Sequence, residues 1–381
     1  MVLKKLLPYG VKDYYPEEWE KLSEILEIVE NELKFWGYRE IGLPHLEFKK
    51  LFETTLGDIK KIFPVGDWEG EELALRYDFT PQILRFVFHQ KRELYPLRIY
   101  YKGNVFKKGN QLWEEPTLGF ELVGAESVEA DAEAIVITVN ILHRLGFENF
   151  KIIVGHRTVY DLLTEKFGKS AVEVKSFDKL PKEFLRSYSI YKEEWKSLEL
   201  PERAVKDFET LSGYLKDFNP NMELLLSLVP PRDYYSGIFF KVILDSSTIV
   251  AGGGRYNNLF RKFGRTIPAT GSGLKLLKLL DRFGSKSSKP LRIFVIDTTS
   301  DKKEGWKVAN LLRRNGFIAA RDLVIRNADS SLKVAKEKGY DLAAVIKEEN
   351  GRKTVDLKKL KEVPEDKWKQ VEELFKRFLS K

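Results

Sequence analysis

The chain of 381 residues has no cysteine, two methionines and four histidines. Without thiols there can be no disulfide, no thiolate metal site and no cysteine nucleophile. His45, His89, His143 and His156 are scattered along the chain. None has the i, i+3 or i, i+4 neighbour that places two imidazoles on one metal, so no metal and no cofactor are expected. Apolar runs are short, and none approaches the roughly 18–20 residues of a membrane span. The opening Met1-Val2-Leu3-Lys4-Lys5-Leu6-Leu7-Pro8 lacks the apolar core and cleavage site of a secretory signal. The expectation is a cytoplasmic protein with no membrane association.

Hydrophobic residues make up 43% of the chain, which is ordinary for a globular protein, and the length suffices for two or three domains with full cores. The formal net charge is +8. Most of that excess falls late: residues 290–381 carry 22 Lys and Arg against 15 Asp and Glu. Such a surplus reads either as an RNA-binding footprint or as a solvated surface in which acids are interspersed with bases.

Periodicity divides the chain. A helix is predicted over 16–36, with Trp19, Leu22, Ile25, Leu26, Val29, Leu33 and Trp36 on one stripe. Residues 99–105, 119–123, 238–244 and 248–251 alternate aromatic and β-branched side chains, as expected of an antiparallel sheet with one face forming a pocket floor. An insertion over about 157–222 is helical and polar, with Trp195, Leu198, Phe208, Leu211, Tyr214 and Leu215 as its apolar stripe, and is read as packing over the site. Ser- and Lys-rich residues 285–290 read as a linker between a core at 1–284 and a unit at 291–381. In the latter, strand and helix alternate, which indicates a small α/β domain with largely parallel strands. The class is α+β.

Chemistry concentrates in a few ordered segments. Asp78 and Thr80 precede Pro81 and fit a helix start as well as a binding site. Glu121 stands in the apolar run Gly119-Phe120-Glu121-Leu122-Val123. A buried carboxylate is costly without a partner, so either a ligand or a structural ion pair is implied. Tyr234 and Tyr235 are core aromatics or ligand contacts, and Gly252-Gly253-Gly254 marks a turn or a close backbone approach.

Taken together and in order, Leu75 to Thr80, Phe106-Lys107-Lys108-Gly109, Arg232-Asp233-Tyr234-Tyr235 and Gly252 to Leu259 resemble the amino-acid-binding framework of the class II histidyl-tRNA synthetases. The resemblance covers nearly the whole chain. It implies an antiparallel synthetase-like core, a dimer built through the motif 1 region around residues 37–44, and a C-terminal unit similar to the anticodon-binding domain. It also implies histidine contacts: Asp78 and Thr80 at the α-amino group, Glu121 at the imidazole, Tyr235 completing that contact and Tyr234 beside it. Thr117 replaces a family glutamine.

The departures lie where the family handles ATP. Bringing an anionic carboxylate against the α-phosphate of ATP, as these synthetases do, calls for arginine forks that bind the phosphate bidentately and stabilise transition-state charge. Motif 2, Phe-Arg-x-Glu in the family, has Lys107 for the arginine and Gly109 for the glutamate. The arginine of the family's Arg-Gly-Leu-Asp-Tyr-Tyr run is Pro230, and Arg232, two residues on, is not counted as its substitute. The motif 3 arginine is Lys278, with Lys275 where a glycine is usual. With all three arginines replaced, adenylation is expected to be lost. This pattern resembles one branch of the family, the regulatory subunits of ATP phosphoribosyltransferase in histidine biosynthesis. Membership there implies a short-form catalytic subunit as partner, histidine as effector and no tRNA. The alternatives are a divergent histidyl-tRNA synthetase and a histidine-sensing paralogue that binds RNA or protein.

Overall fold

A computed structural model describes residues 7–379, apart from 57–58, 90–94, 110, 176–178, 219–220, 246, 285–289, 301, 325–326 and 350–351. The expected linker at 285–290 therefore lies outside the described residues except for Pro290. The chain divides into two compact units, Met1–Ser285 and Lys286–Lys381.

The first unit opens with helix Pro16–Phe35, which starts on a proline, carries Glu17 and Glu18 in its first turn and Lys34 in its last. These placements suit the helix macrodipole and the missing first N–H. Leu22, Ile25, Val29 and Leu33 form its buried face. Trp19, expected in that stripe, is 54% exposed and edges Tyr14 instead. Gly37, at φ +78, turns the chain out of the helix, a conformation disfavoured for residues with a Cβ.

The central sheet has nine strands: β1 Arg39–Glu40, β2 Leu97–Phe106, β3 Glu114–Val123, β4 Phe150–His156, β5 Ser187–Ser189, β6 Met222–Leu225, β7 Ile238–Leu244, β8 Thr248–Arg255 and β9 Ala269–Leu274. Their spatial order is β1-β2-β3-β9-β8-β7-β4-β6-β5. The six from β2 to β4 pair antiparallel, while β1 joins β2 and β6 joins β4 parallel, and β5 closes the edge antiparallel to β6. The two-residue period sorts side chains between the faces. Tyr100, Phe120, Val154 and Phe240 point into a core shared with helices Pro16–Phe35, Val128–Arg144 and Glu202–Leu215. Their neighbours Tyr101, Ile153 and Phe239 face the other way and pack with Phe79, Ile83, Tyr234, Tyr235 and Tyr256. Each fully buried large apolar side chain contributes about 1.5–3 kcal/mol.

Residues 157–222 differ from expectation. They contribute helices Arg157–Phe167 and Glu202–Leu215, but strand β5 and the start of β6 extend the sheet edge. Trp195 and Phe208 are buried in the helix-side core, and no described residue of 157–222 lines the pocket on the other face. Large aromatics in a polar stretch seek the nearest apolar surface, which here is the sheet's helix-covered side. Pro44 lies between strands, where its carbonyl accepts from Gln82 at 3.0 Å.

The second unit is a four-stranded sheet ordered Ile318–Arg321, Arg292–Asp297, Leu342–Glu349, Arg352–Lys359. The first three strands are parallel and the last is an antiparallel hairpin partner. Helices Lys303–Arg314, Ala328–Glu337 and Glu365–Leu379 complete it. No helix among the described residues is long and apolar enough to cross a membrane.

Candidate functional site

A cavity of about 700 Å³ opens on the face of the sheet away from the long helices. Three glycines of β8 and two of β9 keep its floor low. A Cβ on Gly253 would stand 1.9 Å from the Gly271 carbonyl oxygen, and Gly254, at φ +142, would press 2.5 Å from that of Ile238. The glycine run is thus a close backbone approach within a strand.

Glu121 lies at the centre, 4% exposed. Tyr256 donates its hydroxyl to Oε2 at 2.8 Å and Tyr101 donates to Oε1 at 3.3 Å. Burial pushes this carboxyl up to about 8; the two tyrosine hydrogen bonds pull down and the charge of Asp78 adds to the rise. No ion pair forms at Glu121 among the described residues, so the structural alternative for it gives way to a buried, tyrosine-held acid facing a cavity. The cavity wraps closely around it. A Cβ at Gly271 would come within 1.9 Å of Oε2, and one at Gly119 within 2.4 Å of the Tyr101 hydroxyl.

Asp78, Thr80, Tyr234 and Tyr235 also line the cavity, so the five residues expected to contact an amino acid share one cavity. Asp78 Oδ1 accepts from the Thr80 N–H at 3.2 Å, at the start of helix Phe79–His89, so the capping geometry and the pocket placement hold at once. Tyr235, expected beside Glu121, packs on Tyr234 and Phe239, while the hydroxyls on Glu121 are those of Tyr256 and Tyr101. Neither tyrosine is among the site residues expected from the sequence, because an aromatic in a strand, as Tyr101 is, or beside one, as Tyr256 is, reads as core. Tyr256 carries a signal in its place two residues after the glycine run, within the ordered segment Gly252 to Leu259.

The other end of the cavity is basic. Lys107, Lys275 and Lys278 line it together with Glu115 and Thr117. Burial, followed by repulsion from Lys278 and Lys107 against the pull of Glu115, holds Lys275 below its ordinary value. Lys107 sits over the Tyr77 ring at 5.2 Å. Gly109 and Pro230 are not among the lining residues. Arg232, set aside in the sequence, does line the cavity and is its one arginine among the described residues; its Nη2 lies 3.7 Å from Asp78 Oδ2. Two nearby arginines have structural duties. Arg76 bonds the carbonyls of Asn104 and Leu43 at 2.9 and 3.0 Å. Arg255 bonds Asp131 at 2.9 Å and the carbonyls of Ala125 and Ser127. Among the described residues no group of His, Asp and Glu is placed to hold a metal.

The geometry is that of a pocket with an acid-and-tyrosine end suited to an ammonium and a ring N–H, and a lysine end without arginine forks. Comparisons with known proteins agree with this architecture. The family model described as histidyl-tRNA synthetase matches residues 10–183 and 188–279. An ATP phosphoribosyltransferase regulatory subunit from Aquifex aeolicus is 31% identical over 372 residues, spanning 91% of this chain and 94% of that one. A histidine–tRNA ligase from Archaeoglobus fulgidus is 28% identical over 375 residues, spanning 89% and 91%. The crystal structure of an ATP phosphoribosyltransferase regulatory subunit/histidyl-tRNA synthetase from Bacillus halodurans aligns with a TM-score of 0.72 at 24% identity, covering 87% of this chain and 97% of that one.

Proposed function

This chain belongs to the family that unites the histidyl-tRNA synthetases with the regulatory subunits of ATP phosphoribosyltransferase, and from that premise we propose that it is a regulatory subunit of the second kind. It activates a short-form catalytic subunit at the first step of histidine biosynthesis, works in the cytoplasm, and reports histidine to its partner. It has no aminoacylation activity of its own.

The observation that carries the reading is the contrast between the two ends of one cavity. At the acid end, Glu121 and Asp78 face the space with Tyr101, Tyr234, Tyr235 and Tyr256 around them. At the other end Lys107, Lys275 and Lys278 line the cavity and Pro230 does not; the resemblance puts Lys107, Pro230 and Lys278 where the family carries arginine. A lysine is a point charge and cannot form the paired hydrogen bonds that arginine makes to a phosphate. Each oriented donor lost from a transition-state cradle costs about 10²–10³ in rate. Histidine would place its ammonium on Asp78 and a ring nitrogen on Glu121. A carboxyl that titrates near neutrality can hydrogen-bond the ring as donor or as acceptor. The chain dimerises through residues 37–44 and their surroundings, as the motif 1 resemblance implies.

The test has two arms. Histidine-dependent ATP–pyrophosphate exchange should stay at the no-enzyme level; exchange well above it would favour the divergent synthetase. Mixing with a short-form catalytic subunit should raise phosphoribosyl transfer above that of the catalytic chain alone. Absence of activation would overturn the regulatory reading.

A further inference from the structure

Arg232 stands in the irregular segment between β6 and β7, one turn from the tyrosine wall; the Tyr235 N–H donates to its carbonyl at 3.4 Å. The same segment is tied down by Arg157, whose Nη1 donates to the Asp233 carbonyl at 2.8 Å. The Arg232 guanidinium lies over the Tyr77 ring at 5.9 Å. Its nearest anion, Asp78 Oδ2, is 3.7 Å away. A hydrogen-bonded guanidinium–carboxylate pair closes to about 2.7–2.9 Å. A cation and an anion therefore face each other across the cavity wall at charge-pair distance, with the guanidinium held by the Tyr77 side chain and its fork not engaged by Asp78.

We propose that Asp78 and Arg232 form a clamp for a zwitterion, with Arg232 as the residue that binds the α-carboxylate of the amino acid. This rests on the reading that an amino acid occupies the cavity. An α-amino acid carries an ammonium and a carboxylate one carbon apart, so it replaces the loose Asp78–Arg232 pair with two close pairs. The exchange is charge-neutral, and neither protein charge is left uncompensated. The planar fork supplies two parallel donors to the carboxylate, which a lysine cannot.

The lysine end does not compete for this role. Gly271, in contact with Glu121, and Lys275 are four residues apart along β9 and its extension, roughly 13 Å at strand rise. A ligand whose ring reaches Glu121 would leave its carboxylate near the Asp78 end, where Asp78 acts on the charges of both Glu121 and Tyr234. The sequence shift is coherent with this. The family's arginine position is Pro230, outside the lining, whereas two residues on the arginine returns inside it.

The experiment is calorimetry on the full-length protein with histidine, with histamine, which lacks the carboxylate, and with imidazole-lactate, which lacks the ammonium. Wild type should favour histidine over histamine by about 10–100-fold, the range of one charged hydrogen-bonded contact. Arg232→Gln should lose that margin for histidine and bind histamine as wild type does. Arg232→Lys, which keeps the charge on a similar stem, should retain part of the preference, and it decides the matter if the glutamine variant does not fold. Unchanged histidine binding in both variants would overturn the clamp while leaving histidine recognition standing. Equal loss of histidine and histamine would also overturn it. If wild type binds no histidine, the recognition reading falls and the clamp with it.

Discussion

Glu121 is the residue on which the site turns. A lone acid in an apolar strand was visible in the sequence as a costly feature needing compensation. The hydroxyls that provide it, on Tyr101 of β2 and on Tyr256 just past the end of β8, come from segments remote in sequence and were not. Its carboxyl titrates near 8 when folded against about 4.3 unfolded. A raised carboxyl binds a proton more tightly in the native state, so its effect on stability is nil below about pH 4 and increasingly unfavourable from there up to about pH 8, at most about 1.4 kcal/mol per unit. Glu121→Gln removes that titration. Thermal melts at pH 5, 7 and 9 should show wild type losing stability relative to the variant as pH rises. Parallel curves would mean that the carboxyl titrates normally.

At the scale of elements, alternation did most of the work. Tyr100 and Tyr101, Phe120 and Glu121, Phe239 and Phe240 each split between the two faces of the sheet, as a two-residue period requires. What alternation cannot tell is which helix covers which face, and the segment 157–222 was placed on the wrong one for that reason. Trp19 failed similarly, since a 3.6-residue stripe states a direction but not how wide the contact is. Arg255 joins β8 to helix Val128–Arg144 through Asp131, both side chains at most 4% exposed. Removing one partner of a buried pair leaves the other charge stranded, at a cost of about 3–5 kcal/mol. Asp131→Ala should thus lower the denaturation midpoint by a corresponding margin, whereas Asp161→Ala, an exposed i,i+4 pair with Arg157, should move it by less than about 0.5 kcal/mol. A similar effect of both would count against the buried anchor.

For the molecule as a whole, regulation requires that histidine favour one arrangement of the complex over another; equal affinity for both would regulate nothing. A coupling of about 1–3 kcal/mol is usual. On the proposed reading, Glu121→Ala removes the ring's partner, at about 1–3 kcal/mol, at a residue only 4% exposed. The variant should still activate the catalytic subunit, while the histidine concentration for half-inhibition rises about 5–150-fold. Inhibition at the wild-type concentration would place the effector elsewhere. The basic surplus of residues 290–381 has no assigned task in this scheme, and 15 acids lie among those bases.

By itself the sequence determined the main strands and helices outside residues 157–222, the α/β character of the second unit, and the grouping of Asp78, Thr80, Glu121, Tyr234 and Tyr235, which line one cavity. These follow from local periods and from ordered motifs, which need no knowledge of what meets what. Only the tertiary structure decided that Tyr101 and Tyr256 hold Glu121, that Arg232 faces Asp78 while Pro230 stands aside, and that residues 157–222 cover the far side of the sheet. Each of those is a contact between segments remote in sequence, set by strand order and by which glycines let backbones approach. Periodicity fixes the direction of a side chain, whereas its partner depends on the register and stacking of every strand between them.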